Sequence, residues 1–347
     1  MKKIKRWYKL GSLLILAVFL LAGCGQDYVA KVNNTKITRL ELDKRVQQMK
    51  SMYEMQGFKF EGDEGKELLK TLEQQVLNQM IQETVLKQEA KKENLKVDKK
   101  KVQDELNGMK KLYGEKQFAE MLKSQKITEA EVKESIETNF LFEQLFNKVT
   151  EDVKVTDQEA KNFFNKYKDN FIKVKVSHIL AQAKAGEANE AQLKKAEARA
   201  KVWIEKLNAG ADFAALAKKE SDEPAAKTSG GALDQYFSMS NSPYDAEFTA
   251  GALKIAKGKI SEKPVKSSFG YHVIKVIDRQ DQYEQLKEDV KKQLLDEQKN
   301  EKFDQFFNDA MKKAKIENKL EKEKTQRKQD TQQKENTQEK ESGTNKS

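Results

Sequence analysis

Leu68, Leu69, Leu72, Val76, Leu77, Met80, Ile81 and Val85 follow one another at mostly three- and four-residue steps. That period closes on one face of an α-helix, so the stretch is committed to a long amphipathic helix whose apolar face needs partners. T-x-x-E capping boxes at Thr38/Glu41, Thr128/Glu131 and Thr156/Glu159 mark further helix starts. In each, threonine and glutamate oxygens satisfy backbone N–H groups left open at the helix end. The same periodicity predicts helices over roughly 98–112, 116–124, 129–149 and 157–169. Before the first box, Tyr28-Val29-Ala30-Lys31-Val32 alternates like a strand and Asn33-Asn34 is a turn dipeptide.

The texture changes near Ile172. Lys173 to Leu180 alternates like a strand with one apolar face, and Phe269 to Ile277 reads as a second strand. Between them lie a helix carrying Leu193, Ala200, Trp203 and Leu207, a short helix capped by Asp212, and a polar loop from Glu220 to Gly231. This describes an α+β domain of about 105 residues, within the usual domain size. Helical periodicity then returns through Leu286, Val290, Leu294, Phe303 and Met311 and ends near Ile316. Beyond Leu320 no apolar residue occurs, so that segment is expected to stay disordered. The whole chain is expected to be α+β: a mostly helical domain built from N- and C-terminal segments, with a smaller α+β domain inserted. The boundaries read as 1–23, 24–172, 173–281, 282–318 and 319–347.

The first segment reads as an export signal. Five basic residues precede Cys24, and an apolar run from Leu10 to Ala22 is too short for a comfortable membrane span. It ends in Leu21-Ala22-Gly23-Cys24, which resembles a bacterial lipobox, in which the cysteine receives the lipid. Cys24 is the only cysteine, so no internal disulfide can form. Two acyl chains on Cys24 would suffice to hold the chain at a membrane. The expected location is therefore the extracytoplasmic face of the cell membrane. The formal charge of +10 shrinks once that segment is set aside, leaving 61 basic residues against all 56 acidic ones. These are dispersed along Lys/Glu-rich helices, which disfavours nucleic-acid binding.

Only two histidines occur, His178 in Val176-Ser177-His178-Ile179-Leu180 and His272 in Phe269-Gly270-Tyr271-His272-Val273-Ile274-Lys275-Val276. Asp212-Phe213-Ala214-Ala215-Leu216-Ala217, Ser221-Asp222, Gly230-Gly231, Leu233, Phe248, Gly258-Lys259-Ile260-Ser261 and Pro264-Val265 lie between them. Over roughly 173–279 these segments resemble, in order and spacing, the parvulin family of peptidyl-prolyl isomerases. The resemblance implies that His178 and His272 form a hydrogen-bonded pair at the base of a site. It also implies that Leu233 and Phe248 line a proline pocket. The acidic or cysteine position of the family falls on Asp222 or Glu223. The sequence departs from the family at Ala232 and Asp234, and at Tyr244-Asp245, where a Gln-Met pair is usual; Met239 or Tyr244 could fill the gap.

The strand, turn and helices before this domain are similar to the N-terminal region of SurA-type chaperones, most clearly from Val76 to Ala90. With the lipobox and the returning helix, the chain resembles the PrsA foldase lipoproteins of Gram-positive bacteria over nearly its whole length. That resemblance implies a membrane-anchored foldase with prolyl isomerase activity, whose partners are unfolded exported proteins. Two competing readings are a lipid-anchored holdase with a silent parvulin domain, and an envelope or adhesion lipoprotein. No cofactor or metal is expected. The chain has no Gly-rich phosphate loop, no zinc-like Cys/His set and no G-x-S-x-G elbow.

Overall fold

The computed structural model describes residues 28–321. The segment read as an export signal, with Cys24, and nearly all of the polar tail, from residue 322 onward, lie outside the described residues. The chain divides into two compact units. One holds the described residues up to Asp152 and from Asn300; the other is Val153–Lys299. Among the described residues no helix is long and apolar enough to cross a membrane.

The first unit opens with β1 (Tyr28–Val32) and β2 (Thr35–Thr38), an antiparallel hairpin. Its turn residue Asn33 has a φ of 53°, in the left-handed region that Asn tolerates better than most residues. Five helices follow: α1 (Arg39–Met55), α2 (Gly62–Lys92), α3 (Lys99–Tyr113), α4 (Glu115–Gln125) and α5 (Glu129–Val149). The capping boxes at Thr38 and Thr128 are both formed, each threonine accepting from the N3 amide while the N3 glutamate accepts from the cap amide. Leu72, Val76, Leu77, Ile81 and Val85 of α2 are buried against α1 and the hairpin. Val102, Leu106, Phe118, Val132 and Ile136 form a second core among α3, α4 and α5. Met80 is core, whereas Met55 is exposed.

The second unit begins with α6 (Asp157–Lys166), whose capping box at Thr156 is formed, and α7 (Lys168–Phe171). The helix expected over 157–169 is thus broken at Tyr167, which has a φ of −121°. Next come β3 (Lys173–Gln182), α8 (Glu190–Asn208), α9 (Phe213–Glu220), α10 (Ala226–Ser229), α11 (Ala246–Leu253), β4 (Val265–Ser267) and β5 (Gly270–Gln280). Asp212 caps α9, its Oδ1 accepting from Ala215 N at 2.8 Å. The sheet order is β3-β5-β4, all antiparallel.

The strand alternation sorts residues onto the two faces of this sheet. Ile179, Ala181 and Val273 pack against Ala200, Trp203 and Phe213 of α8 and α9. Val174, Val176, Ile274 and Val276 pack against Phe237 and Phe248 on the other face. The expectation of one apolar face on β3 is therefore corrected, because helices cover one side while the 233–255 segment covers the other. From Val176 to Ala181 every residue of β3 is buried.

The chain closes with α12 (Tyr283–Lys313) and β6 (Ile316–Asn318). Within the second unit, Tyr283, Leu286, Val290 and Leu294 of α12 pack with Phe164 and Phe171 of α6 and α7. The compact unit is therefore wider at both ends than the 173–281 stretch marked by sequence texture. Within the first unit, Ala310 joins the α1–α2 core, and β6 pairs antiparallel with β1 through Ala30↔Asn318 and Val32↔Ile316. The sequence reading expected helix to about Ile316 and no strand there. A three-residue strand is too short to display a period, and only its partner reveals it.

Candidate active site

Pairing of β3 with β5 sets His178 opposite Ile274 and Leu180 opposite His272. The two histidines are therefore diagonal neighbours on one face of adjacent strands. Their Nδ1 atoms lie 3.1 Å apart, and both side chains are buried. His272 Nε2 meets Ser267 Oγ at 2.7 Å. On the far side, His178 Nε2 lies 2.7 Å from Glu223 Oε2. The angle of that last contact is poor, so Nε2 has no well-aligned hydrogen-bond partner.

One proton arrangement satisfies this row. Ser267 Oγ accepts from Phe269 N at 3.0 Å, which leaves its own hydrogen to donate to His272 Nε2. His272 then carries its proton on Nδ1 and donates to His178 Nδ1, and the His178 proton sits on Nε2, facing the Glu223 carboxylate. Burial, reinforced by neighbouring His178, pushes the His272 pKa down to about 3, so this imidazole is neutral. The contact with His178 holds Glu223 below the usual carboxylate range despite its partial burial.

The pair forms the base of a cavity of about 370 Å³. Leu233, Tyr244 and Phe248 line it, together with Leu180, Gln182, Pro224, Pro243 and Phe269. The Phe248 ring lies 4.9 Å from His272 and 5.3 Å from His178, edge toward face in both cases. Tyr244 packs edge-on against Phe237 and Phe248 at 5.0 and 5.8 Å. Leu233 is placed by backbone pairing: Leu233 N donates to Val176 O at 2.9 Å, and His178 N donates to Gly231 O at 2.9 Å. Gly231 has a φ of 81°, and a Cβ there would stand 2.1 Å from His178 O. Only glycine lets the loop cross β3 so closely.

The structure also separates the two acidic candidates. Asp222 points to Arg199, which donates to both its oxygens at 2.6 and 3.0 Å, and it accepts from Gln182 N at 2.8 Å. Glu223 alone reaches the histidines. Of the two candidates for the gap in the pocket, Tyr244 lines the cavity, whereas Met239 is exposed and stands outside its lining.

Sequence reasoning missed Ser267 and Phe269, since a serine in a three-residue strand and a solvent-facing phenylalanine carry no signal of their own. Asp245, which appeared only as a departure from the family, has a clear role. It caps α11 by accepting from Glu247 N and Phe248 N, and its other oxygen accepts from Ser268 N at 3.1 Å and Ser268 Oγ at 2.6 Å. Although its burial favours the neutral acid, those donors hold its pKa at about 2. Asp245 thereby ties the helix carrying Phe248 to the turn beside Ser267. Ala232 is half-buried in the loop across β3, and Asp234 is exposed. Among the described residues, no cluster of three or more His, Cys, Asp or Glu is placed to hold a metal ion.

A family model described as a SurA-like N-terminal domain matches residues 1–146, and one described as a PPIC-type peptidyl-prolyl isomerase domain matches residues 160–280. The chain is 35% identical over 340 residues to the foldase protein PrsA of Clostridium botulinum strain Hall, covering 89% of this chain and 96% of that protein. It is 32% identical over 343 residues to PrsA of Clostridium kluyveri, with the same coverage. A crystal structure of the peptidylprolyl isomerase PrsA from Bacillus cereus covers 85% of this chain and 94% of its own, at 28% identity and a TM-score of 0.37. With curated relatives above 30% identity along most of its length, this chain belongs to the PrsA family of foldases.

Proposed function

We propose that this foldase is a lipid-anchored, extracytoplasmic protein whose Val153–Lys299 unit catalyses cis/trans isomerisation of Xaa-Pro bonds in exported client chains. The observation that carries the catalytic reading is the row Ser267–His272–His178–Glu223 beneath an apolar cavity of about 370 Å³. The amide barrier of about 18–20 kcal/mol comes from resonance, and no covalent bond need be made to lower it. Leu233, Tyr244 and Phe248 hold the proline ring away from water. The hydrogen-bonded histidine pair presents fixed dipoles to a carbonyl whose bond order and charge change as the amide twists. Since His272 stays neutral until about pH 3, this imidazole acts through orientation and not as a titrating general base near neutrality.

The test is peptide cis/trans exchange by the full chain. Acceleration supports the enzyme reading, while a folded chain that suppresses client aggregation without accelerating exchange is the holdase. The anchoring reading rests on the order of basic start, apolar run, small residues and Cys24. Growth with a radioactive fatty acid should label the wild type and not Cys24→Ala; equal label in both removes it.

A further inference from the structure

Apart from the two histidines, every charged side chain that lines the cavity is acidic: Asp222, Glu223 and Asp245. Two of these carboxylates are already committed. Asp222 is engaged by Arg199 at 2.6 and 3.0 Å, and Asp245 accepts four hydrogen bonds from the backbone and Ser268. Glu223 differs. Its Oε2 faces His178 at 2.7 Å, its Oε1 has no partner among the described residues, and its side chain is 32% exposed. The contact with His178 keeps it ionised.

We propose that this cavity selects Xaa-Pro segments with lysine or arginine beside the proline, and that Glu223 Oε1 is the counter-charge. The inference rests on the isomerase reading and adds a substrate class to it. The ligand site itself is argued from the cavity with its apolar lining and from the buried His178 Nε2, which lacks an aligned partner. The carboxylate decides which neighbour of proline is welcome. An ionised group at the edge of a low-dielectric pocket attracts a cation and repels an anion by amounts that matter, because water screens the pair incompletely. A basic groove does adjoin the cavity beyond Asp222, lined by Lys184, Lys195 and Arg199. Its charges are largely answered, Arg199 by Asp222 and Lys184 by Glu187 at 3.8 Å.

The experiment measures exchange rates of Ala-Xaa-Pro-Phe peptides, with Xaa as Lys, Leu or Glu, on the full chain at low and high salt. The expected order of kcat/KM at low salt is Lys, Leu, Glu, with roughly tenfold between the extremes. That ratio should contract several-fold in 0.5 M NaCl, where screening reaches charges a few ångströms apart. Glu223→Gln should narrow the Lys-to-Glu ratio, whatever it does to the absolute rates. Dissociation constants for the same peptides, from chemical-shift titration, read the preference even if turnover is absent. Brisk Leu turnover with equal Lys and Glu constants overturns the specificity proposal and leaves the isomerase standing. A preference for Glu overturns it in favour of the basic groove. No exchange with any peptide removes the isomerase reading, and equal binding of all three then removes this proposal as well.

Discussion

The imidazoles of His178 and His272 share one hydrogen bond at 3.1 Å, so removing either breaks the same unit. His178→Ala and His272→Ala should each lower kcat/KM by about tenfold, equivalent to about 1.4 kcal/mol. The double mutant should lose little more, since groups acting as a unit are non-additive. Additive losses in folded proteins would show that the two rings act separately. Suppression of client aggregation should persist in all three variants, being expected of the unit that holds the SurA-like N-terminal domain. His272 also links the site to stability. An ordinary histidine titrates at 6.5, but burial and His178 hold this one to about 3. Below pH 6.5 the unfolded chain takes up a proton that the folded chain refuses. The stabilisation is therefore complete above that pH and drains away as pH falls toward 3. Between pH 7 and 5 the wild type should lose on the order of 1–2 kcal/mol more than His272→Gln in urea unfolding. Parallel losses would mean that the site admits the proton freely.

At the scale of elements, the crossing of the 231–237 loop over β3 is what brings Leu233 to the histidines. That crossing is pinned by the His178–Gly231, Leu233–Val176 and Val174–Phe237 backbone bonds, all between 2.9 and 3.0 Å. Gly231→Ala would add a Cβ 2.1 Å from His178 O at a φ of 81°. The backbone has to move, and the expected cost is roughly 2–4 kcal/mol by chemical denaturation, with a loss of isomerase activity larger than instability explains. In the other unit, Arg45 of α1 meets Glu83 of α2 at 2.7 Å with both side chains over 90% buried. Breaking such a pair from one side leaves an uncompensated buried charge, so Glu83→Ala should cost about 3–5 kcal/mol in thermal or urea unfolding.

At the scale of the whole molecule, the unit Val153–Lys299 takes in more chain than its strands and the helices between them. α6, α7 and the start of α12 bury Phe164, Phe171, Leu286 and Val290 together, and Lys173 of β3 is paired with Asp289 of α12. A fragment of residues 153–299 should therefore unfold cooperatively at a clearly higher temperature than one of residues 173–281, which lacks that core altogether. Equal midpoints would show that the helices are passengers.

Much of this protein is legible from the chain alone. Apolar residues at helical spacing on α2, three capping boxes and the two-residue alternation of β3 and β5 are local signals, because period and cap are properties of a few consecutive residues. Resemblance to the parvulin motif also grouped His178, His272, Leu233 and Phe248. What the sequence left open was which of Asp222 and Glu223 faces the histidines, which of Met239 and Tyr244 faces the pocket, that Ser267 continues the row, and that β6 closes the first sheet. Each of these depends on contacts between residues far apart in the chain. Arg199 on α8 draws Asp222 away and leaves Glu223 to His178, and strand register places Ser267 beside His272. Neighbouring residues along a chain differ only in direction, and direction is set by the partners that tertiary structure supplies.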